Sequence, residues 1–464
     1  MSLYKEGSRA IEGVTGPLLF VSNIKCGGYG EIVSIETDTS TLMGQILQVE
    51  GDLCVIQVFE DTMGLNPEAT TVWLERDIMK IPLSPALKGR ILNGRGEPID
   101  GKGPIIYEEL KLPIQGLPMN PVKRSSPNAY IETGISSIDL MNTLVRGQKL
   151  PIFSGAGLPA NELATQIVKQ ARVPGAKGQF LPIFAAVGIT SREAQYFINF
   201  FNDTGTIHNG IFFINLASDS AVERILTPRL ALTAAEYFAF FLGYDVLVVI
   251  TDMLYYCEAL REISAVRDEV PGRRGYPGYM YSDLASIFER AGCVRNGRGS
   301  VTQIPIITMP GDDMTHPVVD LSGYITEGQI VLDRGLNDRN IYPPVNVLPS
   351  LSRLMNKGIG KGKTVEEHRS LADQLYASYA RAKEVERLRL IVGEDGLTEE
   401  EKFFLRFGEI FEEKFLNQGD EYRDVKESME IAWDCLSILP KEALYKLSED
   451  IIVKKLSGRE RKTS

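Results

Sequence analysis

The sequence predicts a chain of three parts: a small β-barrel at residues 1–78, a connector and α/β domain at 79–357, and an α-helical domain at 358–464. Three observations support this division. Short β-branched runs separated by glycine turns fill the first part, strand-like and helix-like segments alternate in the second, and charged helical sequence fills the third. The length of 464 residues agrees with about three domains, because a domain averages roughly 150 residues.

The N-terminal part contains the runs GPLLFVSN, GEIVSIETD, GQILQVEGDLCVIQVFED and TTVWLE. Strands this short and this evenly interrupted predict a small closed barrel with a structural or oligomerising role. Residues 82–130 are rich in proline and glycine and show little periodicity, which indicates an ordered connector.

The second part contains apolar runs without alternation at 180–187, 211–216, 246–251 and 304–308. Such runs are typical of parallel strands buried on both faces, and helical segments lie between them. We therefore predict a doubly wound α/β domain. Ligands of such domains bind beyond the carboxyl ends of the strands, where the glycine loop described next and Asp252 are both expected to lie.

The stretch LPIFSGAGLPANELATQIVKQARV, residues 150–173, predicts a strand, a glycine loop and a helix in that order. This order forms a phosphate-binding P-loop, GxxxxGK(S/T), in which the lysine meets the terminal phosphates and the hydroxyl holds magnesium. Alignment without gaps places Ser154 and Pro159 in the glycine positions, Ala160 in the lysine position and Asn161 in the hydroxyl position. A shift of one residue places Asn161 in the lysine position, so neither register supplies a lysine.

Three further features weaken the predicted phosphate site. Asn161 is expected to cap the helix, Glu162 places a negative charge in its first turn, and Pro159 removes one amide donor. A lost charge-assisted hydrogen bond of about 1.5–3 kcal/mol lowers phosphate affinity roughly ten- to a hundred-fold. We therefore predict a degenerate site with weak or vestigial nucleotide binding; a tight turn that never bound a ligand is the alternative. Its candidate residues are Ser154, Gly155, Gly157, Asn161 and Asp252.

Asp252 ends the apolar strand DVLVVITD. A carboxylate at this position of a P-loop protein contacts the water shell of magnesium. An acidic residue that follows a buried strand also commonly caps the next helix. The sequence leaves both roles open.

The third part contains two S/T-x-x-E patterns, Thr364 with Glu367 and Thr398 with Glu401, and both predict helix starts with capping boxes. Just before it, KGIGKGKT at 357–364 supplies a GKT sequence. Its first-glycine position holds Lys357, and no strand is predicted to lead into it. We interpret it as a solvated loop.

Composition excludes several classes of function. The net charge of −11 argues against a large nucleic-acid interface, which needs a basic face. Five scattered cysteines without CxxC and three isolated histidines predict reduced thiols and no metal site. The N-terminus, MSLYKEGSRAIEG, lacks the apolar core of a signal peptide, and no run of about 18 uncharged apolar residues is present, so we expect contact with a membrane only through other subunits.

Four segments together resemble the B subunit of V-type and A-type rotary ATPases: RGQKLPIFSGAGLPANELATQI, TPRLALTAAEYFAF, TDMLYYCEALREISAVRDEVPGRRGYPGY and NVLPSLSRLMNKGIGKGKT. The resemblance runs from end to end and implies a RecA-like central domain with a mostly parallel sheet. It also implies a non-catalytic regulatory subunit that alternates with catalytic A subunits in an A3B3 ring, around a central rotor shaft and beside peripheral stalk subunits. The expected location is a cytoplasmic motor head, coupled to proton or sodium transport.

The resemblance also implies roles for individual residues. The catalytic relatives carry a glutamate base where this chain has Ile189, in AAVGITSRE, and isoleucine cannot accept a proton. Arg353 matches an arginine finger that acts in trans on Mg-ATP or Mg-ADP held at the interface with the A subunit; we expect no tightly bound nucleotide on this chain itself. Ser322 and Tyr324, in DLSGYITEGQ, resemble part of the same boundary between subunits, and GRRGYPGY resembles the loop that faces the shaft.

Two other functions remain as alternatives. A self-sufficient P-loop ATPase requires the lysine and the base that this sequence lacks. A ring-shaped nucleic-acid translocase of similar core fold requires an interleaved basic and aromatic patch, which we do not find.

Overall fold

The computed structural model describes residues 6–24, 27–175, 179–267, 269–295, 297 and 299–456. The strands within them are β1 (Gly7–Ser8), β2 (Ile11–Thr15), β3 (Leu18–Ser22), β4 (Glu31–Glu36), β5 (Thr41–Glu50), β6 (Leu53–Val58), β7 (Thr71–Ile78), β8 (Lys80–Leu83), β9 (Ile91–Asn93), β10 (Leu110–Pro113), β11 (Ile152–Gly155), β12 (Phe180–Ile189), β13 (Ile211–Leu216), β14 (Asp245–Thr251), β15 (Gly292–Cys293), β16 (Ser300–Met309), β17 (Gly328–Leu332) and β18 (Val345–Ser352).

The helices of the same residues are α1 (Ser136–Asp139), α2 (Ala160–Gln170), α3 (Ser191–Asp203), α4 (Ala221–Glu236), α5 (Met253–Val266), α6 (Met280–Phe288), α7 (Pro317–Ile325), α8 (Arg334–Asp338), α9 (Met355–Gly358), α10 (His368–Val392), α11 (Glu399–Ile410), α12 (Val425–Leu436) and α13 (Glu449–Leu456). The chain forms two compact units. The first lies within 1–118, 183–238 and 252–290, and the second within 119–182, 239–251 and 291–464.

The first unit begins with an antiparallel sheet of seven strands in the order β1-β7-β4-β5-β6-β3-β2. Its two ends, β1 and β2, are consecutive in the chain and separated only by Arg9 and Ala10. The N-terminal segment therefore pairs with β7 at one end of the path and with β3 at the other, which closes the sheet into a barrel. Alternate residues such as Leu19, Val33 and Ile46 fill its core. The predicted short strands and closed barrel are confirmed.

The rest of the first unit holds parallel strands in the order β12-β13-β9, with Ile183 opposite Ile211 and Phe212 opposite Ile91. The buried faces of β12 and β13 show no alternation, as the apolar runs predicted. Strand β9 comes from the proline-rich and glycine-rich connector, which the sequence did not identify as a source of a strand. The connector is therefore part of this layer.

The second unit places β11 between β16 and β17, parallel to both, with Ile152 opposite Ile306 and Ile330. Strand β14 adds to β16 in parallel, and β18 adds to β17 antiparallel. The set is therefore mostly parallel, and β11, which leads into the glycine loop, lies in its interior.

The C-terminal helices α10 to α13 belong to the second unit, and Phe407, Phe411 and Phe415 stack along one helical face with ring centroids 4.9–5.6 Å apart. The capping box of Thr398 and Glu401 is present at the start of α11, as predicted. No helix among the described residues is both long and apolar enough to cross a membrane.

The predicted capping box of Thr364 and Glu367 is wrong, because α10 begins only at His368. The Thr364 hydroxyl instead accepts the Gly360 N–H at 3.0 Å and hydrogen-bonds His368 Nδ1 at 3.0 Å. Glu367 forms an ion pair with Lys455 at 3.4 Å. The Thr364 hydroxyl therefore binds the buried His368 in place of the predicted local cap.

His368 supports a prediction about stability and pH. Its Nε2 lies 2.9 Å from the carbonyl oxygen of Leu140, so Nε2 carries the proton and Nδ1 accepts from Thr364. Burial lowers the pKa of His368 to about 4. The unfolded chain binds this proton near pH 6.5, so the free energy of unfolding falls as pH falls from about 6.5 to about 4.

We expect the contribution of His368 to the free energy of unfolding to fall by about 2 kcal/mol between pH 7 and pH 5. His368→Gln keeps a donor for Leu140 and does not titrate, so its urea midpoint should fall less than that of the parent over the same range. Midpoints measured at pH 7, 6 and 5 test this. Equal falls in the two proteins would contradict it.

Candidate functional site

The glycine loop has the predicted order of strand β11, loop and helix α2. Within the loop, the Leu158 N–H donates to the Gly155 carbonyl at 3.2 Å, and the Ala160 N–H donates to the Leu158 carbonyl at 2.8 Å. Ser154 is buried, and its hydroxyl donates to the Gly155 carbonyl at 3.1 Å. Two loop amides are therefore used internally and Pro159 has none, which lowers the number of donors available to a phosphate.

Gly157 and Ala156 form the exposed tip of the loop, and Gly157 has a φ of +80°, which favours glycine. The next helical turn carries Glu162, which is exposed at the positive end of α2. A carboxylate at this place stabilises the helix and repels an anion.

Asn161 does not cap α2, so that prediction is wrong. The residue before the helix is Pro159, which makes no side-chain cap, and Asn161 is the second helical residue. Its Oδ1 accepts the Thr251 hydroxyl at 3.4 Å. The helix begins earlier than predicted, which places Ala160 and Asn161, the lysine and hydroxyl positions, in its first turn.

An ion pair that the sequence did not reveal fixes the first half of the loop. Arg334 contacts both carboxylate oxygens of Asp312 at 2.9 Å, and its Nη2 also donates to the Ala156 carbonyl at 3.0 Å. A Cβ on Gly155 would overlap the Asp312 carboxylate, so a larger residue at this position would displace the carboxylate of the ion pair. The hydrogen bond from Arg334 lowers the pKa of Asp312. This guanidinium is paired with a carboxylate and does not replace the missing lysine.

Asp252 lies after β14 and caps α5, with its Oδ1 accepting the Leu254 N–H at 2.8 Å. The residue is 6 % exposed. The geometry therefore supports the capping role, and the magnesium role stays a prediction.

Ile189 ends β12 and is buried. The next residue, Thr190, forms a capping box with Glu193 at the start of α3: the Glu193 carboxylate accepts the Thr190 N–H at 2.8 Å, and the Thr190 hydroxyl accepts the Glu193 N–H at 3.3 Å. The T-x-x-E pattern of TSRE could have revealed this box. The first carboxylate that follows Ile189 in sequence, that of Glu193, is therefore part of a helix cap.

Arg353 follows β18 directly and has an exposed side chain. Its main-chain N–H donates to the Glu327 carbonyl at 2.9 Å, and its Nη1 donates to the Thr326 carbonyl at 3.3 Å. Within the described part of the chain, Arg353 has no ion pair with a carboxylate. Its guanidinium is therefore held in place yet keeps its charge for an external anion.

A cavity of about 490 Å³ adjoins this arginine, between the end of β18, α9 and α10. Arg369 also lines it, but its charge is paired with Asp373 at 2.9 Å. Tyr376 closes one side and donates to the Leu348 carbonyl at 3.2 Å. Of the two arginines that line this cavity, Arg353 is the one without an ion pair among the described residues.

Ser322 and Tyr324 lie on α7 and differ in exposure. Ser322 is buried, and its carbonyl accepts both the N–H and the hydroxyl of Thr326, the residue that binds the Arg353 guanidinium. Tyr324 is 73 % exposed. Only the tyrosine presents its side chain to solvent, and the role of both at a boundary between subunits stays a prediction.

In the KGIGKGKT segment, Lys357 and Gly358 end α9, and the remaining residues form a loop before α10; its lysines are exposed. LPSLS lies in strand β18, which the sequence did not predict, but α9 follows that strand, so no strand leads directly into the GKT sequence. The GRRGYPGY segment is mostly exposed around the buried Tyr276, whose hydroxyl donates to Glu258 at 2.5 Å.

The described cysteines, Cys54, Cys257, Cys293 and Cys435, are buried and free, and Cys26 lies outside the described residues. Over the described residues, no group of His, Cys, Asp and Glu side chains is arranged to hold a metal ion.

Comparison with known proteins covers nearly the whole chain. Residues 11–72 match the β-barrel domain of the ATP synthase alpha/beta family, 134–352 match its nucleotide-binding domain, and 357–457 match the C-terminal domain of V and A type ATP synthase. The predicted architecture of barrel, α/β domain and helical domain is confirmed, while its limits at residues 78 and 357 stay predictions.

The chain is 54 % identical over 462 residues to a V-type ATP synthase beta chain of Thermus thermophilus, covering 98 % of this chain and 96 % of that protein. It is 55 % identical over 448 residues to a B subunit of the A-type ATP synthase of Methanospirillum hungatei, covering 96 % and 97 %. A solved structure of an ATP synthase subunit from Nanoarcheaum equitans, 42 % identical, superimposes with a TM-score of 0.73 over 91 % of this chain and 99 % of that one. This chain therefore belongs to the B subunits, or beta chains, of the V-type and A-type ATP synthases.

Proposed function

We propose that this chain is the non-catalytic, regulatory B subunit of a rotary ATP synthase and supplies Arg353 to an ATP site on a neighbouring A subunit. The observation that carries the proposal is the state of Arg353, which is exposed, anchored at both ends and without an ion pair among the described residues. Such a guanidinium stabilises the charge that develops on the transferred phosphoryl group and contributes about 10³-fold or more to the rate.

A non-catalytic role is supported by the glycine loop of this chain. No lysine occupies either register, two loop amides bond within the loop, and Glu162 opposes an anion. The base is missing as well, because Ile189 is apolar and Glu193 is held in a capping box. The residues of this loop therefore do not fit a tightly bound nucleotide, and Mg-ATP or Mg-ADP is assigned to the interface with the A subunit.

Membership of the family supports the following proposed partners. Three such chains alternate with three A subunits in an A3B3 ring, with GRRGYPGY toward the central shaft and peripheral stalk subunits outside. The ring forms a cytoplasmic motor head that contacts the membrane through other subunits and couples ATP synthesis or hydrolysis to proton or sodium transport.

Mixing the purified chain with its A subunit tests the proposal. The chain alone should show no ATP hydrolysis and weak nucleotide binding, and hydrolysis should appear only when both subunits assemble. Hydrolysis by the chain alone, at a kcat above about 1 s⁻¹ as is typical of enzymes, would favour a self-sufficient ATPase instead. Salt-sensitive binding to single-stranded nucleic acid would favour a translocase, against which the net charge of −11 argues.

A further inference from the structure

Arg353 depends on one short turn for its position. The turn of Thr326 and Glu327 joins α7 to β17, and it accepts both the main-chain N–H and the guanidinium of Arg353 through its two carbonyl groups. Because both ends of the arginine bind the same turn, any movement of that turn moves the guanidinium with it.

This turn is itself held by Lys149, which precedes β11. The Glu327 N–H donates to the Lys149 carbonyl at 3.1 Å, and the Lys149 N–H donates to Glu327 Oε2 at 2.9 Å. Lys149 Nζ forms an ion pair with Glu327 Oε1 at 2.8 Å, and the lysine side chain is only 3 % exposed. The two residues therefore share two hydrogen bonds from main-chain amides and one largely buried ion pair.

Gln148 connects the same turn to the end of β18. Its buried Nε2 donates to the Glu327 carbonyl at 2.9 Å and to the Ser352 hydroxyl at 3.0 Å. The Ser352 hydroxyl donates to the Thr143 carbonyl at 2.9 Å. The residue immediately before Arg353 is thus fixed to the same framework.

We propose that Glu327 and Lys149 are positioning residues that set the reach of Arg353 toward the neighbouring subunit's nucleotide. This inference rests on the proposed function of Arg353. Loss of the Glu327 charge removes its ion pair with the Lys149 ammonium, whose side chain is only 3 % exposed, and this favours displacement of the turn. A displacement of about 1 Å at a catalytic group lowers a rate by roughly 10²-fold.

The test uses the assembled ring with Glu327→Gln, which keeps the size of the side chain and removes its charge. We expect kcat for ATP hydrolysis to fall about 10- to 100-fold with KM changed less than about twofold, because an arginine finger acts mainly in the transition state. Glu132→Gln is the matched control. Glu132 is 3 % exposed and paired with Arg172 at 3.2 Å in the same unit. Loss of its charge therefore lowers the stability of the chain without removing a bond to the turn that holds Arg353.

A double-mutant cycle separates positioning from a general loss of stability. If Glu327 acts through Arg353, the Glu327→Gln change should lower turnover no further in a chain that already carries Arg353→Ala. Equal fold-losses in both backgrounds, or an equal loss of kcat in Glu132→Gln, would overturn the inference. A ring in which Arg353→Ala lowers turnover but Glu327→Gln does not would overturn the positioning role alone, whereas full turnover by Arg353→Ala would overturn the proposed function.

Discussion

Replacing Arg353 with alanine is expected to lower ATP turnover by the assembled ring by about 10³-fold or more while leaving the ring intact. The guanidinium donates to a single main-chain carbonyl, that of Thr326 at 3.3 Å, and has no ion pair among the described residues. Its removal therefore breaks little within the chain itself. The backbone bond from the Arg353 N–H to Glu327 is retained in alanine, so the turn beneath it should keep its place.

Turnover is best measured on rings purified by size exclusion, so that assembly and catalysis are scored separately. Arg381→Ala serves as a control, since Arg381 lies on α10 in the same unit and forms surface ion pairs with Glu384 at 3.1 Å and Glu401 at 3.5 Å. We expect its turnover to match the parent, because exposed ion pairs contribute at most about 1 kcal/mol. Intact Arg353→Ala rings with the turnover of the parent would contradict the role of Arg353 as an arginine finger.

Local patterns in the sequence were sufficient for much of the fold. The strands predicted at 180–187 and 211–216 are observed at Phe180–Ile189 and Ile211–Leu216, because burial on both faces leaves an uninterrupted apolar run. The capping box at Thr398 formed because nothing else competes for its hydroxyl among the described residues, whereas the hydroxyl of Thr364 is claimed by His368. The local pattern at Thr364 could not show this tertiary partner, and the predicted helix start there failed for that reason.

The framework around the candidate site was not predictable in the same way. Arg334 reaches Ala156 across 178 positions of sequence, and Lys149 reaches Glu327 across the same separation. A single arginine or lysine carries no local signal of such a partner. The sequence could identify Arg353 as a candidate through family resemblance, but the turn that holds it becomes visible only when β11, β17 and β18 are placed side by side.

Restoring the P-loop residues should raise the affinity of this chain for nucleotide. The substitutions are Pro159→Gly, Ala160→Lys and Asn161→Thr, which together recreate GK(S/T) in the ungapped register. The structure places positions 160 and 161 in the first turn of α2, directly after the loop, where the motif requires its lysine and hydroxyl. The glycine also returns one amide donor at position 159.

We expect the triple variant to bind Mg-ATP roughly 10- to 100-fold more tightly than the parent, since each charge-assisted hydrogen bond contributes about 1.5–3 kcal/mol. Calorimetric titration of the isolated chain measures this. The control variant carries Ala160→Met beside Pro159→Gly and Asn161→Thr. It lacks the charge, so its affinity for Mg-ATP should stay near that of the parent. Hydrolysis should remain absent, because Ile189 still supplies no base and Glu193 stays in its capping box. An unchanged affinity in the triple variant would show that the loop amides bonded to Gly155 and Leu158, rather than the missing lysine, prevent binding.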